Sequence, residues 1–206
     1  ALVQMEACGY CNSTDAKLID DDMFWAPPFP FILGHESVGR VVEVGDRCRR
    51  FAVGNRVTRP VAAFDTVQGP PYSANGGFAE FGLVRDAEAM AADGDDSFLN
   101  DYNAQRQLVV NPDIDVATAT LCISLAETAS TLAYVPGLHG RNVVVAGTGI
   151  AGLSYTLWCA LAGATVFTLG RRRVQTELAE HLGAPSELLT TEADWTERLA
   201  DRSPHE

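Results

Sequence analysis

Basic residues are scarce in this chain of 206 residues: 15 lysines and arginines stand against 27 acidic residues, and the formal net charge is −12. A surface of this sign repels polyanions, so we expect no nucleic acid partner.

Long apolar runs suited to a bilayer are also missing. The longest stretch without charges, from Asn142 to Gly170, has three valines near its start and is interrupted by glycines. It indicates a buried strand, turn, helix and strand, and we predict no membrane insertion.

Cysteine occurs only five times, and only Cys8 and Cys11 form a C-x-x-C pair. An odd number of cysteines without a recognisable secretion signal does not suit a disulfide-stapled extracellular domain, so we expect a cytoplasmic protein. Because a second C-x-x-C is missing, the usual structural zinc site with two such pairs cannot be built from this chain. Metal binding by a smaller ligand set remains open.

Two sequence patterns divide the chain. Short alternating segments and turns dominate the first part, whereas a helical spacing followed by a strand, a glycine turn and a helix dominates the second. We therefore predict an α/β protein with a β-rich domain over residues 1–118. A connecting helix and the start of a doubly wound dinucleotide-binding domain are predicted over residues 119–206. Since Ala1 is not a start methionine, we expect both ends to belong to a longer chain.

A G-x-G-x-x-G motif lies between a predicted strand, Asn142 to Ala146, and a helix predicted from Leu153 to Ala162. Its glycines allow a tight turn, a close approach of backbone to a pyrophosphate, and packing of the helix on the strand. In this context the motif favours dinucleotide binding over a purely structural turn. The predicted cofactor contacts come from Gly147, Thr148, Gly149, Ile150, Ala151 and Gly152.

The acidic residue that usually ends the second strand of an NAD site, about 20 residues on, is missing. Here the strand ends in Gly170, and Arg171 and Arg172 follow. A glycine leaves space for a 2′-phosphate, which guanidinium groups bind in a bidentate manner, so we predict NADP rather than NAD. The alternative is that the arginines simply begin a solvated helix.

Cys11 and His35 are candidate ligands of a catalytic metal. A catalytic zinc needs only three protein ligands and one open position, and thiolate and imidazole both suit zinc. His35 follows a hydrophobic segment and precedes Glu36, but an isolated histidine is more often a satisfied core residue. The motifs around these residues therefore indicate whether His35 is a metal ligand or a core residue.

Those motifs resemble the medium-chain, zinc-dependent alcohol dehydrogenase family, whose order they keep along nearly the whole chain. The matching stretches are residues 8–15, 34–39, 41–45, 53–57, 76–81 and 147–152. The resemblance implies a GroES-like catalytic domain followed by a Rossmann domain, which is incomplete in this chain. It also implies hydride transfer between NADP(H) and a small alcohol, aldehyde or ketone, in a homo-oligomer. Cys11 and His35 would bind the zinc, with Glu36 close to the metal.

Two assignments stay open within the resemblance. The hydroxyl that relays the substrate proton is Thr14 or Ser13, because this chain has one residue more than the family between the cysteine and Asp15. The third zinc ligand is Cys122, 25 residues before Gly147, or Glu127, which resembles a glutamate branch of the family. The four-cysteine lobe of a second, structural zinc is missing, so we expect one zinc. A zinc-free enone or quinone reductase and a non-catalytic nucleotide-binding protein are the alternatives.

Overall fold

The computed structural model describes residues 1–62, 71–100, 104–184 and 187–202. The chain forms two compact units, Ala1–Ile123 and Ser124–Glu206. Whereas the sequence pattern places a boundary between residues 118 and 119, this division falls after Ile123, inside a single helix. No helix among the described residues is long and apolar enough to cross a membrane.

The first unit consists mainly of short strands. Its elements are β1 (Leu2–Gly9), α1 (Thr14–Ile19), β2 (Phe31–Ile32), β3 (Glu36–Glu43), β4 (Arg56–Thr58), β5 (Tyr72–Ser73), β6 (Phe81–Leu83), α2 (Ala87–Ala92), β7 (Val109–Val110) and the beginning of α3 (Val116–Leu132). Five strands form an antiparallel sheet in the order β6-β1-β3-β4-β7, while β2 and β5 pair in parallel. The alternating sequence of the first part corresponds to this antiparallel sheet.

The core of this unit comes from β-branched and aromatic side chains of the strands and of the segments between them. Val3, Val41, Phe51, Val57 and Val84 form one buried cluster. Full burial of such a side chain stabilises the fold by about 1.5–3 kcal/mol.

The second unit alternates strands and helices. After the rest of α3 it contains β8 (Asn142–Ala146), α4 (Ile150–Leu161), β9 (Thr165–Gly170), α5 (Arg173–His181), β10 (Glu187–Leu189) and α6 (Trp195–Arg202). The three strands are parallel, in the order β10-β9-β8. A core of Val145, Cys159 and Val166 joins β8, α4 and β9. This is the arrangement of one mononucleotide-binding half of a doubly wound fold.

Two details of this unit differ from the sequence-based expectation. The helix α4 begins at Ile150 rather than Leu153, because Gly149 is the N-cap and the third glycine of the motif lies within the first turn. The strand β8 is not buried on both faces: Val145 is 9% exposed but Val144 is 50% exposed. Within the described part of the unit, β8 is an edge strand, and its face that carries Val144 is not fully covered there.

Candidate metal site and dinucleotide site

The pairing of β1 with β3 brings Cys11 and His35 to the same edge of the sheet. These strands are antiparallel, and Gly9 at the end of β1 lies opposite Glu36 at the start of β3. Cys11 comes two residues after β1, and His35 comes one residue before β3. Residues that are 24 positions apart in the chain therefore become neighbours through the register of one strand pair.

Three potential metal ligands meet at this edge. Ligand atoms of Cys11, His35 and Glu36 all lie within 4.8 Å of one another, and all three residues are half-buried. Among the described residues no other group of three or more histidine, cysteine and acidic side chains comes this close. A thiolate, an imidazole and a carboxylate are the ligand types that zinc takes in proteins, so the donor set fits that metal.

Asp15 lies directly behind this group and is completely buried. Its Oδ2 accepts a hydrogen bond from the backbone N–H of Cys11 at 2.9 Å, and its Oδ1 lies 3.4 Å from Nδ1 of His35. The second contact lacks hydrogen-bond geometry, and both of its atoms are buried without a hydrogen-bonded partner among the described residues. A carboxylate in this position orients a ligating histidine through its Nδ1–H and leaves Nε2 for the metal.

The turn after Cys11 also contacts the sulfur of this residue. The backbone N–H of Thr14 points to Cys11 Sγ at a donor–acceptor distance of 3.4 Å. Thr14 is the first residue of α1 and is half-buried, whereas Ser13 is its exposed N-cap and makes no side-chain capping bond. Both candidate proton relays thus lie within three residues of Cys11, and Thr14 is the less exposed of the two.

Cys8, the other cysteine of the C-x-x-C pair, does not belong to the group. Burial, together with the charges of Asp15 and Glu36, raises the pKa of its thiol to about 12. Gly34 packs tightly against it: the residue has φ +102°, and a Cβ there would lie 2.6 Å from Cys8 Sγ. Cys8 is therefore a packed thiol beneath the turn that carries His35.

Neither Cys122 nor Glu127 joins the three-residue group. Cys122 is half-buried on the part of α3 that belongs to the first unit, and Glu127 is exposed on the part that belongs to the second. One turn before Cys122, Ala119 packs in a buried cluster with Val38 of β3. The described contacts of the first unit thus tie the beginning of α3 to the strand that starts beside His35.

The glycine motif forms the turn between β8 and α4. Gly147 has φ +121°, and its N–H donates to the carbonyl of Leu169 at 2.9 Å. A Cβ on Gly152 would collide with the carbonyl oxygen of Gly147, so only glycine allows this approach. Thr148 is 6% exposed, whereas Gly149, Ile150 and Ala151 are exposed. The turn leaves the N-terminus of α4 accessible, as an anion site requires.

Gly170, the last residue of β9, contacts this turn. A Cβ at this position would lie 2.6 Å from the Cγ2 atoms of both Thr148 and Thr176, so there is no room for an aspartate that would hold a ribose hydroxyl. Arg171 and Arg172 follow and are exposed. Nε of Arg172 donates to Gln175 Oε1 at 3.1 Å.

Sequence reasoning overlooked two polar residues of these sites, Asp15 and Gln175. Asp15 stands four residues after Cys11, in the first turn of a helix, and that spacing was the available signal. For Gln175 the sequence offers no signal, because its contacts depend on how α5 packs beside the glycine turn.

Comparison with known proteins shows what each part of the chain is similar to. Residues 1–93 match the model of the alcohol dehydrogenase GroES-like domain. A protein of Bacillus subtilis (strain 168) described as a formaldehyde dehydrogenase, AdhA, is 29% identical over 98% of this chain and 59% of its own length. An alcohol dehydrogenase of Geobacillus stearothermophilus is 46% identical over 29% of this chain and 17% of its own.

Among solved structures, a protein of Sinorhizobium meliloti 1021 described as a zinc-binding dehydrogenase, bound to NADP, superposes with a TM-score of 0.71. It is 27% identical and covers 95% of this chain, which spans 56% of that protein. A GroES-like unit followed by a Rossmann-type unit defines the class as medium-chain dehydrogenases and reductases, which confirms the predicted fold class. Within that class, residues 1–93 are similar to the GroES-like domain of alcohol dehydrogenases, and the chain is similar over most of its length to the Bacillus subtilis and Sinorhizobium meliloti dehydrogenases.

Proposed function

We propose that this chain is part of a zinc-dependent oxidoreductase that transfers a hydride between NADP(H) and a small alcohol, aldehyde or ketone. The observation that supports it most is the convergence of Cys11, His35 and Glu36 within 4.8 Å at the edge of the GroES-like sheet. Because the chain spans 59% of the first relative's length, the activity concerns the whole protein. A homo-oligomer is part of this proposal.

In this proposal Cys11 and His35 bind the zinc, and Glu36 lies beside it. The third ligand is Cys122, with Glu127 as the rival; the packing of Ala119 near Val38 favours Cys122. When bound, zinc supplies Lewis-acid polarisation of the substrate oxygen. Asp15 holds His35 in the tautomer that offers Nε2 and keeps the Cys11 backbone in place.

Thr14 carries the substrate proton between the site and solvent, and Ser13 is the alternative. The support for Thr14 is its partial burial and its backbone contact with Cys11 Sγ, which keep its side chain beside the ligand turn. A hydroxyl both donates and accepts hydrogen bonds, so it can pass a proton in either direction of the reaction.

The cofactor binds at the glycine turn, with its pyrophosphate at the N-terminus of α4. Arg171 and Arg172 bind the 2′-phosphate of NADP(H), and the tight packing of Gly170 against Thr148 keeps an acidic side chain out of that position. The NADP bound to the Sinorhizobium relative agrees with this choice.

The test is the metal content per chain of the purified full-length protein, with Cys11→Ser and His35→Ala as ligand variants and Cys48→Ser as the matched cysteine control. We expect one zinc in the wild type and in C48S, and its loss with turnover in C11S and H35A. Loss in Cys122→Ser with retention in Glu127→Gln assigns the third ligand to Cys122; the reverse assigns it to Glu127. A wild type without zinc overturns the proposal, and turnover then separates a metal-free reductase from a non-catalytic binder.

A further inference from the structure

A single side-chain oxygen joins the glycine turn to the arginines that follow β9. Oε1 of Gln175 accepts a hydrogen bond from the Thr148 hydroxyl at 2.9 Å and another from Nε of Arg172 at 3.1 Å. Thr148 lies inside the G-x-G-x-x-G motif, and Gln175 lies in the first turn of α5. The pyrophosphate-binding turn and the predicted 2′-phosphate site therefore share one hydrogen-bond acceptor.

We propose that Gln175 is a positioning residue that orients Arg172 for the 2′-phosphate of NADP(H) and so strengthens selection against NAD(H). The proposal rests on the NADP(H) preference of the proposed function. Arginine is a donor only, so the amide of Gln175 must present its oxygen to Arg172. An exposed arginine samples many rotamers, and a bond at Nε restricts it while both terminal nitrogens stay available for a phosphate.

The three consecutive arginines, residues 171–173, differ in the hydrogen bonds and ion pairs that they make with the described residues. Arg173 pairs with Glu192, which also contacts Arg198, so its charge is partly neutralised. Arg171 has no hydrogen bond or ion pair among the described residues. Arg172 is bonded to a neutral acceptor that is itself tied to the glycine turn, and it therefore keeps its full charge.

The position of Gln175 is determined by the packing of α5 on the end of β9. The methyl groups of Thr148 and Thr176 both close around Gly170, and Thr176 is completely buried. The packing of Thr176 thereby holds the backbone of Gln175 beside the glycine turn, and these contacts do not involve the Gln175 side chain. Loss of the Gln175 amide should accordingly release Arg172 without unfolding α5.

The experiment measures dissociation constants of 2′,5′-ADP and 5′-AMP by calorimetry on the full-length protein. Wild type, Gln175→Leu, Arg172→Ala and the double variant are compared, with Gln4→Leu as the matched glutamine control. Gln4 is exposed on β1 and has no side-chain partner among the described residues. We expect the wild type to bind 2′,5′-ADP about tenfold more tightly than 5′-AMP, as a charge-assisted phosphate contact allows.

In Q175L the preference should fall about fivefold, mainly through weaker 2′,5′-ADP binding, while 5′-AMP affinity changes less than about twofold. Because Gln175 acts through Arg172, the double variant should lose no more than R172A alone. Should Q175L fold poorly in a thermal melt, Gln175→Met, a good helix former of similar length, gives the same comparison.

The possible failures are distinguishable. A wild type without preference for 2′,5′-ADP overturns the NADP(H) assignment and the role of Gln175 with it. A wild-type preference that persists unchanged in Q175L, or effects of Q175L and R172A that simply add in the double variant, overturn the positioning role alone. Equal changes in Q4L would also contradict it.

Discussion

A buried carboxylate is the most informative single residue of the proposed metal site. Asp15 is 0% exposed, and its two oxygens face the backbone of Cys11 and the ring of His35. Burying a charge without compensation is costly, so a buried aspartate that meets two proposed ligands indicates a function in holding them. Its position makes the zinc proposal testable without touching a ligand.

Replacing Asp15 by asparagine should weaken zinc binding about 10- to 100-fold, because the neutral amide no longer attracts the proton on His35 Nδ1. Asparagine retains an oxygen for the Cys11 N–H, so the fold is preserved. Competition with a chromophoric chelator gives the affinity. The exposed Asp22→Asn is the control with the same change in charge. Wild-type affinity in D15N would contradict the role assigned to this carboxylate.

At the scale of elements, β9 packs tightly where it ends against the glycine turn. Gly170→Ala places a methyl group 2.6 Å from Thr148 Cγ2 and from Thr176 Cγ2, and both threonines are buried. Overpacking of this kind costs about 1–3 kcal/mol. We expect that loss in the free energy of unfolding, together with weaker binding of the dinucleotide.

Gly45→Ala is the matched control for this prediction, since a Cβ there meets nothing within 4 Å. Its free energy of unfolding should stay within about 0.5 kcal/mol of the wild type. Urea titrations of both variants give the comparison. A G170A variant as stable as G45A would show that β9 and the turn can separate, and it would remove the steric argument against an acidic side chain at this position.

At the scale of the whole molecule, one aspartate joins distant parts of the first unit and makes its stability depend on pH. Asp86, 8% exposed, accepts N–H bonds from Arg49 and Arg50 at 2.6 and 2.7 Å and also caps α2. Burial by itself would raise the pKa of this carboxyl, but the backbone N–H groups of Arg50, Arg49 and Ala89 outweigh it and lower the pKa to about 2.

A folded-state pKa below the unfolded value stabilises the protein above that unfolded value, and the gain is lost as pH falls from about 4 to about 2. The shift corresponds to about 2 kcal/mol at neutral pH. Asp86→Asn should therefore lower the free energy of unfolding by about 1–2 kcal/mol at pH 7, and the difference from wild type should vanish near pH 2. Denaturant titrations across this range provide the measurement. A pH-independent difference would mean that the carboxylate charge contributes nothing.

The sequence by itself determined the fold class, the glycine turn and the chemical types of the proposed ligands, because periodicity, glycine spacing and residue chemistry are local properties. It also indicated the absence of an acid after β9. Only the tertiary structure decided which distant side chains meet: the register of β1 with β3 joins Cys11 to His35, and the packing of α5 brings Gln175 to Thr148. The burial of Asp15 and the division of α3 between Cys122 and Glu127 likewise depend on contacts between residues far apart in the chain, which no local pattern encodes.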